Sequence, residues 1–152
     1  MEKYNFQYCQ KTVVFSKDMT SVLLCKRKGE NDYDGVYSFI GGKMETPDKS
    51  FIAGLQREKN EEVGGGFKIE IYPIFTINHI YLKKSGDSMI LPHFYARHIE
   101  GEIILSDEYS EYQWVAINKL TQFEPKISTI PDVVNKLLEL KKIIKNEDLI
   151  VI

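Results

Sequence analysis

Three carboxylates, Glu58, Glu61 and Glu62, crowd one short stretch of the chain, and a glycine pair, Gly41-Gly42, precedes them. Carboxylate oxygens are the preferred ligands of hard divalent cations, which usually sit beside substrate phosphates. Glycines have no side chain, so backbone carbonyls and amides can come close to a metal or a phosphate. Together these residue types suit metal-assisted chemistry at a phosphate. An acidic cluster by itself fits a solvated helix face, since surface charge is the ordinary case. The glycine pair in front of it points the other way.

The carboxylates need an element to hold them, and the spacing predicts a helix. Ser50 suits an N-cap, apolar residues recur at helical intervals, and Gly64-Gly65-Gly66 stops the run. On a helical projection Ile52, Leu55, Lys59 and Val63 form the core-seeking face, and the three glutamates occupy a neighbouring arc roughly 100° wide. Glu58 and Glu62 form an i,i+4 like-charge pair, unfavourable by a few tenths of a kcal/mol in an isolated helix. Either the nearby cations Arg57 and Lys59 compensate, with Arg57 four residues before Glu61, or a divalent ion does. Gly54, one turn earlier on the same side, is expected to leave space for a ligand.

In this register the stretch resembles the box of the Nudix hydrolases: Gly, five residues, Glu, seven residues, Arg-Glu, an apolar residue, any residue, Glu-Glu, any residue, Gly and an apolar residue. Arg57, Glu58, Glu61, Glu62 and Gly64 match the second half, and Gly42 matches the start. The loop Thr46-Pro47-Asp48-Lys49 carries one extra residue and puts Asp48 where the first glutamate belongs. Lys59 and Gly65 stand at apolar positions; the Lys59 stem is expected along the core with its ammonium in water. The resemblance implies an α/β/α sandwich with a mixed β-sheet spanning 1–152 as one domain. It also implies a Mg²⁺-dependent (or Mn²⁺-dependent) pyrophosphohydrolase acting on a small-molecule nucleotide substrate. Glu58, Glu61 and Glu62 would hold the metal with a carbonyl of Gly41 or Gly42 and a carboxylate from the later acidic loop, Glu108 first and Glu111 second. Arg57, Glu58 and Glu61 would be the catalytic residues, with Arg57 orienting a glutamate, and Lys43 would touch substrate.

The surrounding elements can be placed. Lys11–Ser16 and Ser21–Lys26 read as a hairpin. It runs out into Lys26-Arg27-Lys28, which fits an exposed strand end or a phosphate contact, Arg27 being favoured for its bidentate fork. Val36–Ile40 is a short strand whose Phe39 or Tyr37 would stack on a base or pack in the core. Phe67–Leu82 is one strand or two joined at Pro73. The Lys83–Asp87 turn leads to a returning strand, Met89–His98. His79, His93 and His98 share no ligand spacing and are read as structural or substrate-facing. Trp114-Val115 is a later strand, Ile130-Pro131 opens a core-packing helix, and the apolar tail Leu149–Ile152 pairs as a strand or covers another subunit.

The chain has 152 residues, a formal charge of -2, 43% hydrophobic and 28% charged residues, with the charges mixed along its length. That composition suits a globular domain and gives no basic channel for polymeric nucleic acid. Cys9 and Cys25 have no metal-ligand spacing and read as buried thiols. No run spans a bilayer and no leader pattern begins the chain, so a cytoplasmic location and no membrane partner are expected. A homodimer is left open. The competing readings are a nucleotide-metabolite sensor of the same fold, which would commonly lack box glutamates, and hydrolysis at an RNA 5′ end, which needs the missing basic channel.

Overall fold

A computed structural model describes residues 6–152. Its strands are β1 (Phe6–Phe15), β2 (Ser21–Arg27), β3 (Tyr37–Ser38), β4 (Ile40–Lys43), β5 (Lys68–Ile71), β6 (Ile77–Leu82), β7 (Ser88–Glu100), β8 (Tyr109–Ala116) and β9 (Ile150–Val151), with helices α1 (Phe51–Val63) and α2 (Ile130–Lys141). Along the sheet the order is β3-β2-β1-β7-β5-β9, with β4 on β1, β6 on β7 and β8 on β2. β1 and β7 run parallel and the remaining strand pairs antiparallel, so the sheet is mixed.

Side chains alternate along β1, and the alternation assigns each a layer. Val13 and Phe15 join Leu137 and Val133 of α2 on one face. Val14 joins Leu55 and Val63 of α1 on the other. Two helices thus sandwich one sheet, as α/β/α patterning requires. Pro73 does end a strand: β5 and β6 are separate, and β6 returns into β7 through the Lys83–Asp87 turn, where the Lys83 N–H donates to the Asp87 carbonyl at 2.9 Å. The tail pairs as a strand, with Ile152 and Ile69 exchanging both backbone bonds, at 2.9 and 3.1 Å.

α1 begins where its capping residue allows. The Ser50 hydroxyl accepts the Ala53 N–H at 3.0 Å, and Gly64 closes the helix at φ 93° with its N–H on the Asn60 carbonyl. Two expectations for this helix are corrected. Gly54 does not face open space: a Cβ there would meet the Gln10 Oε1 at 3.0 Å and Asp48 Oδ2 at 3.2 Å, so the glycine lets α1 lie close on β1. Lys59 does not reach water either. It is 1% exposed, and its ammonium donates to the Phe67 carbonyl at 2.8 Å. The carbonyls beyond the helix end give the charge a partner inside the protein, and burial, with Lys68 nearby, lowers the ammonium to about 8.

Candidate active site

β4 runs antiparallel to β1, with Gly41 opposite Lys11 and Gly42 opposite Gln10. Gly41 is required by the backbone, and Gly42 leaves Glu58 its place. Gly41 has φ 141°, and a Cβ on it would strike the Gln10 backbone carbonyl; a Cβ on Gly42 would strike the Glu58 carboxylate. β4 therefore lies directly against the acidic arc of α1.

A cavity of about 430 Å³ opens there. It is lined by Glu58, Glu62, Glu108, Gly41 and Gly42, with Lys11, Arg27 and Lys43 as cations. A second wall of the same cavity is formed by Phe39, His79, Tyr81, Met89, Leu91 and His93. Strand alternation explains this second wall: His79 and Tyr81 share one face of β6, and their cross-strand partners are Leu91 and Met89.

Arg57 organises the loop before the helix. Its Nε and Nη2 donate to the two Asp48 oxygens, each at 2.8 Å, Nη1 donates to Glu58 Oε1 at 2.8 Å, and Nη2 also donates to the Lys43 carbonyl at 3.0 Å. Hydrogen bonds from Arg57 and from the Glu45 N–H hold the Asp48 carboxyl down to about 2, while the Asp48 bonds raise Arg57. One planar fork thus ties the inserted loop, the glycine strand and the first glutamate together. The inserted residue leaves Asp48 bound to Arg57.

Glu62 is 2% exposed. Its Oε2 accepts the Gly41 N–H at 2.7 Å and its Oε1 accepts the Tyr109 hydroxyl at 3.1 Å. Burial raises it to about 8; Lys11 and the Gly41 N–H oppose the rise, and Glu58 and Glu108 add to it. Glu58 is also raised, by burial first, with Arg57 acting against it. The structure divides the remaining candidates. Glu108 reaches the cavity. Glu111 does not line it, its carboxylate pairing with Lys26 at 3.4 Å. Glu61 stays outside, 57% exposed at its side chain, with Arg57 Nη1 at 3.3 Å. Of the three consecutive cations only Arg27 lines the cavity. Phe39 is buried at 4% exposure, edge-on to His93 at 5.8 Å, and lines the cavity. His98 stacks between Phe67 and Trp114, away from the cavity.

Lys11, Tyr109, Asp32 and Tyr81 escape a linear reading. Lys11 has one signal, a lone cation in an apolar strand. The others depend on strands and loops far apart in sequence. Asp32 is an example: buried in a polar loop, its Oδ1 accepts the Tyr81 hydroxyl at 3.1 Å and the Lys84 N–H at 3.2 Å, fastening that loop to the β6–β7 hairpin.

A divalent cation fits this donor set. Glu58, Glu62 and Glu108 line one cavity, where the Glu108 charge adds to the raised proton affinity of Glu58 and of Glu62, and oxygen donors are what Mg²⁺ and Mn²⁺ prefer. Among the described residues no three acidic, His or Cys side chains close into a ready-made cage. Mg²⁺ binding through one or two carboxylates, water and substrate phosphate does not require one.

The buried glutamate has a measurable signature. Glu62 binds its proton more tightly folded than unfolded, so its contribution to stability falls as pH rises from about 4.5 to about 8. His93, lowered by burial to about 4 from 6.5, contributes in the opposite sense up to about 6.5. The metal-free protein is therefore expected to lose thermal stability between about pH 6.5 and 8. Glu62→Gln should flatten that decline; melting temperatures of both proteins across this range test it.

A mixed sheet between two helices, with a glycine strand set against a carboxylate-bearing helix, defines an α/β protein built to present acidic side chains to a cavity. The NUDIX domain model matches residues 11–137, and the chain belongs to that family. No curated protein matches it in sequence. Solved structures share the fold. The MutT protein from Methanosarcina mazei is 22% identical with a TM-score of 0.73, covering 93% of this chain and 99% of that one. The NUDIX domain of Shewanella oneidensis NrtR, complexed with ADP ribose, is 17% identical with a TM-score of 0.71, covering 91% and 90%. A C. elegans Ap4A hydrolase is 14% identical with a TM-score of 0.71, covering 90% and 98%.

Proposed function

We propose that this chain is a metal-dependent pyrophosphohydrolase that cleaves the diphosphate linkage of a nucleoside diphosphate derivative or nucleoside triphosphate. Family membership supports a hydrolase of nucleotide derivatives in general. The observation that carries the finer reading is that one cavity is lined both by carboxylates and cations and by an aromatic wall. The ADP ribose bound by the NrtR domain and the Ap4A hydrolase named among similar structures are consistent with it.

Glu58, Glu62 and Glu108, with a Gly41 carbonyl, would hold Mg²⁺ or Mn²⁺. When bound, the ion neutralises phosphate charge and acidifies water. Arg27, Lys43 and Lys11 bind the diphosphate oxygens. Arg57 fixes Glu58 through Oε1, leaving Oε2 to accept the proton of the attacking water. The new oxygen–phosphorus bond forms as the bridging phosphorus–oxygen bond breaks, and the leaving phosphate takes the electron pair. Phe39 and the β6–β7 wall receive the nucleoside. Glu61 acts through Arg57, from outside the cavity.

Binding without hydrolysis is the second reading, and one observation favours it: both Glu62 oxygens already have partners within the protein. A panel of nucleoside diphosphate derivatives and triphosphates with Mg²⁺ or Mn²⁺ separates the two. Release of phosphate-containing product supports hydrolysis; tight binding with no turnover on any member supports the sensor. The Asp32 clasp gives a further expectation. Asp32→Ala removes two hydrogen bonds that fasten its cavity-lining loop to the β6–β7 hairpin and is expected to raise KM by roughly tenfold, with a smaller change in kcat. Steady-state kinetics on the preferred substrate check this.

A further inference from the structure

The loop between β2 and β3 holds one residue whose placement stability does not explain. Tyr33 has φ 57°, in the left-handed region, where Cβ crowds the following carbonyl oxygen and a bulky side chain is a genuine outlier. Asn31, Asp32 and Asp34, types that tolerate this region better, stand around it. Burial does not offset the strain, because Tyr33 is 45% exposed. For stability alone, glycine or asparagine would serve better at this position.

The surroundings hold this conformation from two sides. Within the loop, the Gly29 N–H donates to Asp34 Oδ1 at 2.8 Å, the Gly35 N–H to the Arg27 carbonyl at 2.9 Å and the Val36 N–H to the Tyr33 carbonyl at 3.2 Å. From the hairpin, the Tyr81 hydroxyl and the Lys84 N–H fasten Asp32, and the Lys84 ammonium donates to the Asn31 carbonyl at 3.3 Å. Strained residues persist where their neighbours over-determine them, and they gather at ligand clamps. Tyr33 and Tyr81 both line the cavity, with ring centroids 5.5 Å apart and planes inclined at 43°. Arg27 lines it too, and its Nε donates to the Asp32 carbonyl at 3.4 Å, one residue before Tyr33. A guanidinium for phosphate and an open aromatic ring therefore belong to one braced loop.

We propose that Tyr33 is the platform on which the base of the nucleotide stacks, so that this chain selects diphosphates carrying an aromatic base over those without one. The inference rests on the nucleotide-hydrolase reading above and names a residue that sets its specificity. Every base has a π-face, so such a platform tolerates a change of base. The strain fixes the ring before ligand arrives, which lowers the ordering cost of binding.

Calorimetric titration of the full chain with Mg²⁺ present tests this. The probes are the α,β-methylene diphosphates of adenosine, guanosine, cytidine and uridine, with methylenediphosphonate as the probe that lacks a base. The unaltered chain is expected to bind at least one nucleotide probe at least about tenfold more tightly than methylenediphosphonate, the scale of one stacked base. Tyr33→Gly is expected to remove that advantage without lowering the melting temperature, since glycine relieves the strain. Tyr33→Phe is expected to keep it. Tyr33→Asn also suits the left-handed region and should behave as Tyr33→Gly does; if it binds as the unaltered chain does, a stiff loop and not the ring carries the affinity, and the proposal is overturned. Unchanged nucleotide affinity in Tyr33→Gly, or an equal loss for methylenediphosphonate, also overturns it. An unaltered chain that hydrolyses nucleotides without preferring the nucleotide probes overturns this inference alone, whereas one that neither binds a probe nor releases product fails the hydrolase reading as well.

Discussion

Glu58→Gln is expected to lower turnover by roughly 10²–10⁴-fold while leaving the fold intact. Glu58 lines the cavity, sits against Gly42, and has one oxygen fixed by Arg57 at 2.8 Å. Glutamine keeps an acceptor for the guanidinium and nearly the same shape. It removes the negative charge, the proton-accepting oxygen and the stronger donor to a cation. Loss through charge alone should therefore appear in kcat with a normal melting temperature. Glu61→Gln gives the contrast. Glu61 is exposed and outside the cavity lining, so its effect is expected to be smaller. Single-turnover rates of both variants decide the matter: equal losses would refute the division of roles, and near-normal turnover of Glu58→Gln would refute its role as base.

Arg57→Lys is expected to cost roughly 10–100-fold in turnover, the scale of losing a group that orients a ligand. Lysine preserves the charge but cannot reproduce the planar fork that grips both Asp48 oxygens, Glu58 and the Lys43 carbonyl. Apparent affinity for Mn²⁺ should weaken in parallel, measured by titration without substrate. Unchanged Mn²⁺ affinity and turnover would show that the inserted loop positions Glu58 without Arg57.

The helix, its cap and its stop could be read from Ser50, the periodic apolar residues and Gly64, because these effects are local. The glycine pair and the glutamates were legible as types. Their division was not: Glu58 and Glu62 enter the cavity while Glu61 does not, because β4 packs on one side of the arc and Arg57 draws Glu61 to the other. Lys59 shows the limit more sharply. Helical spacing placed it on the core face, but only the return of the chain through Phe67 supplies the carbonyl that lets its ammonium stay inside. Glu108 ranked only narrowly ahead of Glu111 in one acidic loop, and the register of β8 on β2 then set Glu111 opposite Lys26. The β6–β7 wall was the least legible: His79 and His93 read only as structural or substrate-facing, and Met89 and Leu91 join them through cross-strand pairing that no local pattern encodes.

The parallel pairing of β1 with β7 sets Lys11 beside His93, residues from opposite halves of the chain. Non-local parallel pairing must close a long loop before any contact repays the entropy lost, which places such topologies among the slower folders. Synthesis delivers β1, both glycines and the whole acidic helix before β7, which supplies Met89, Leu91 and His93 to the cavity wall. A nascent chain halted before β7 therefore carries every box residue and still lacks the cavity. Ligand should consequently protect the molecule from proteolysis only after that late strand has docked.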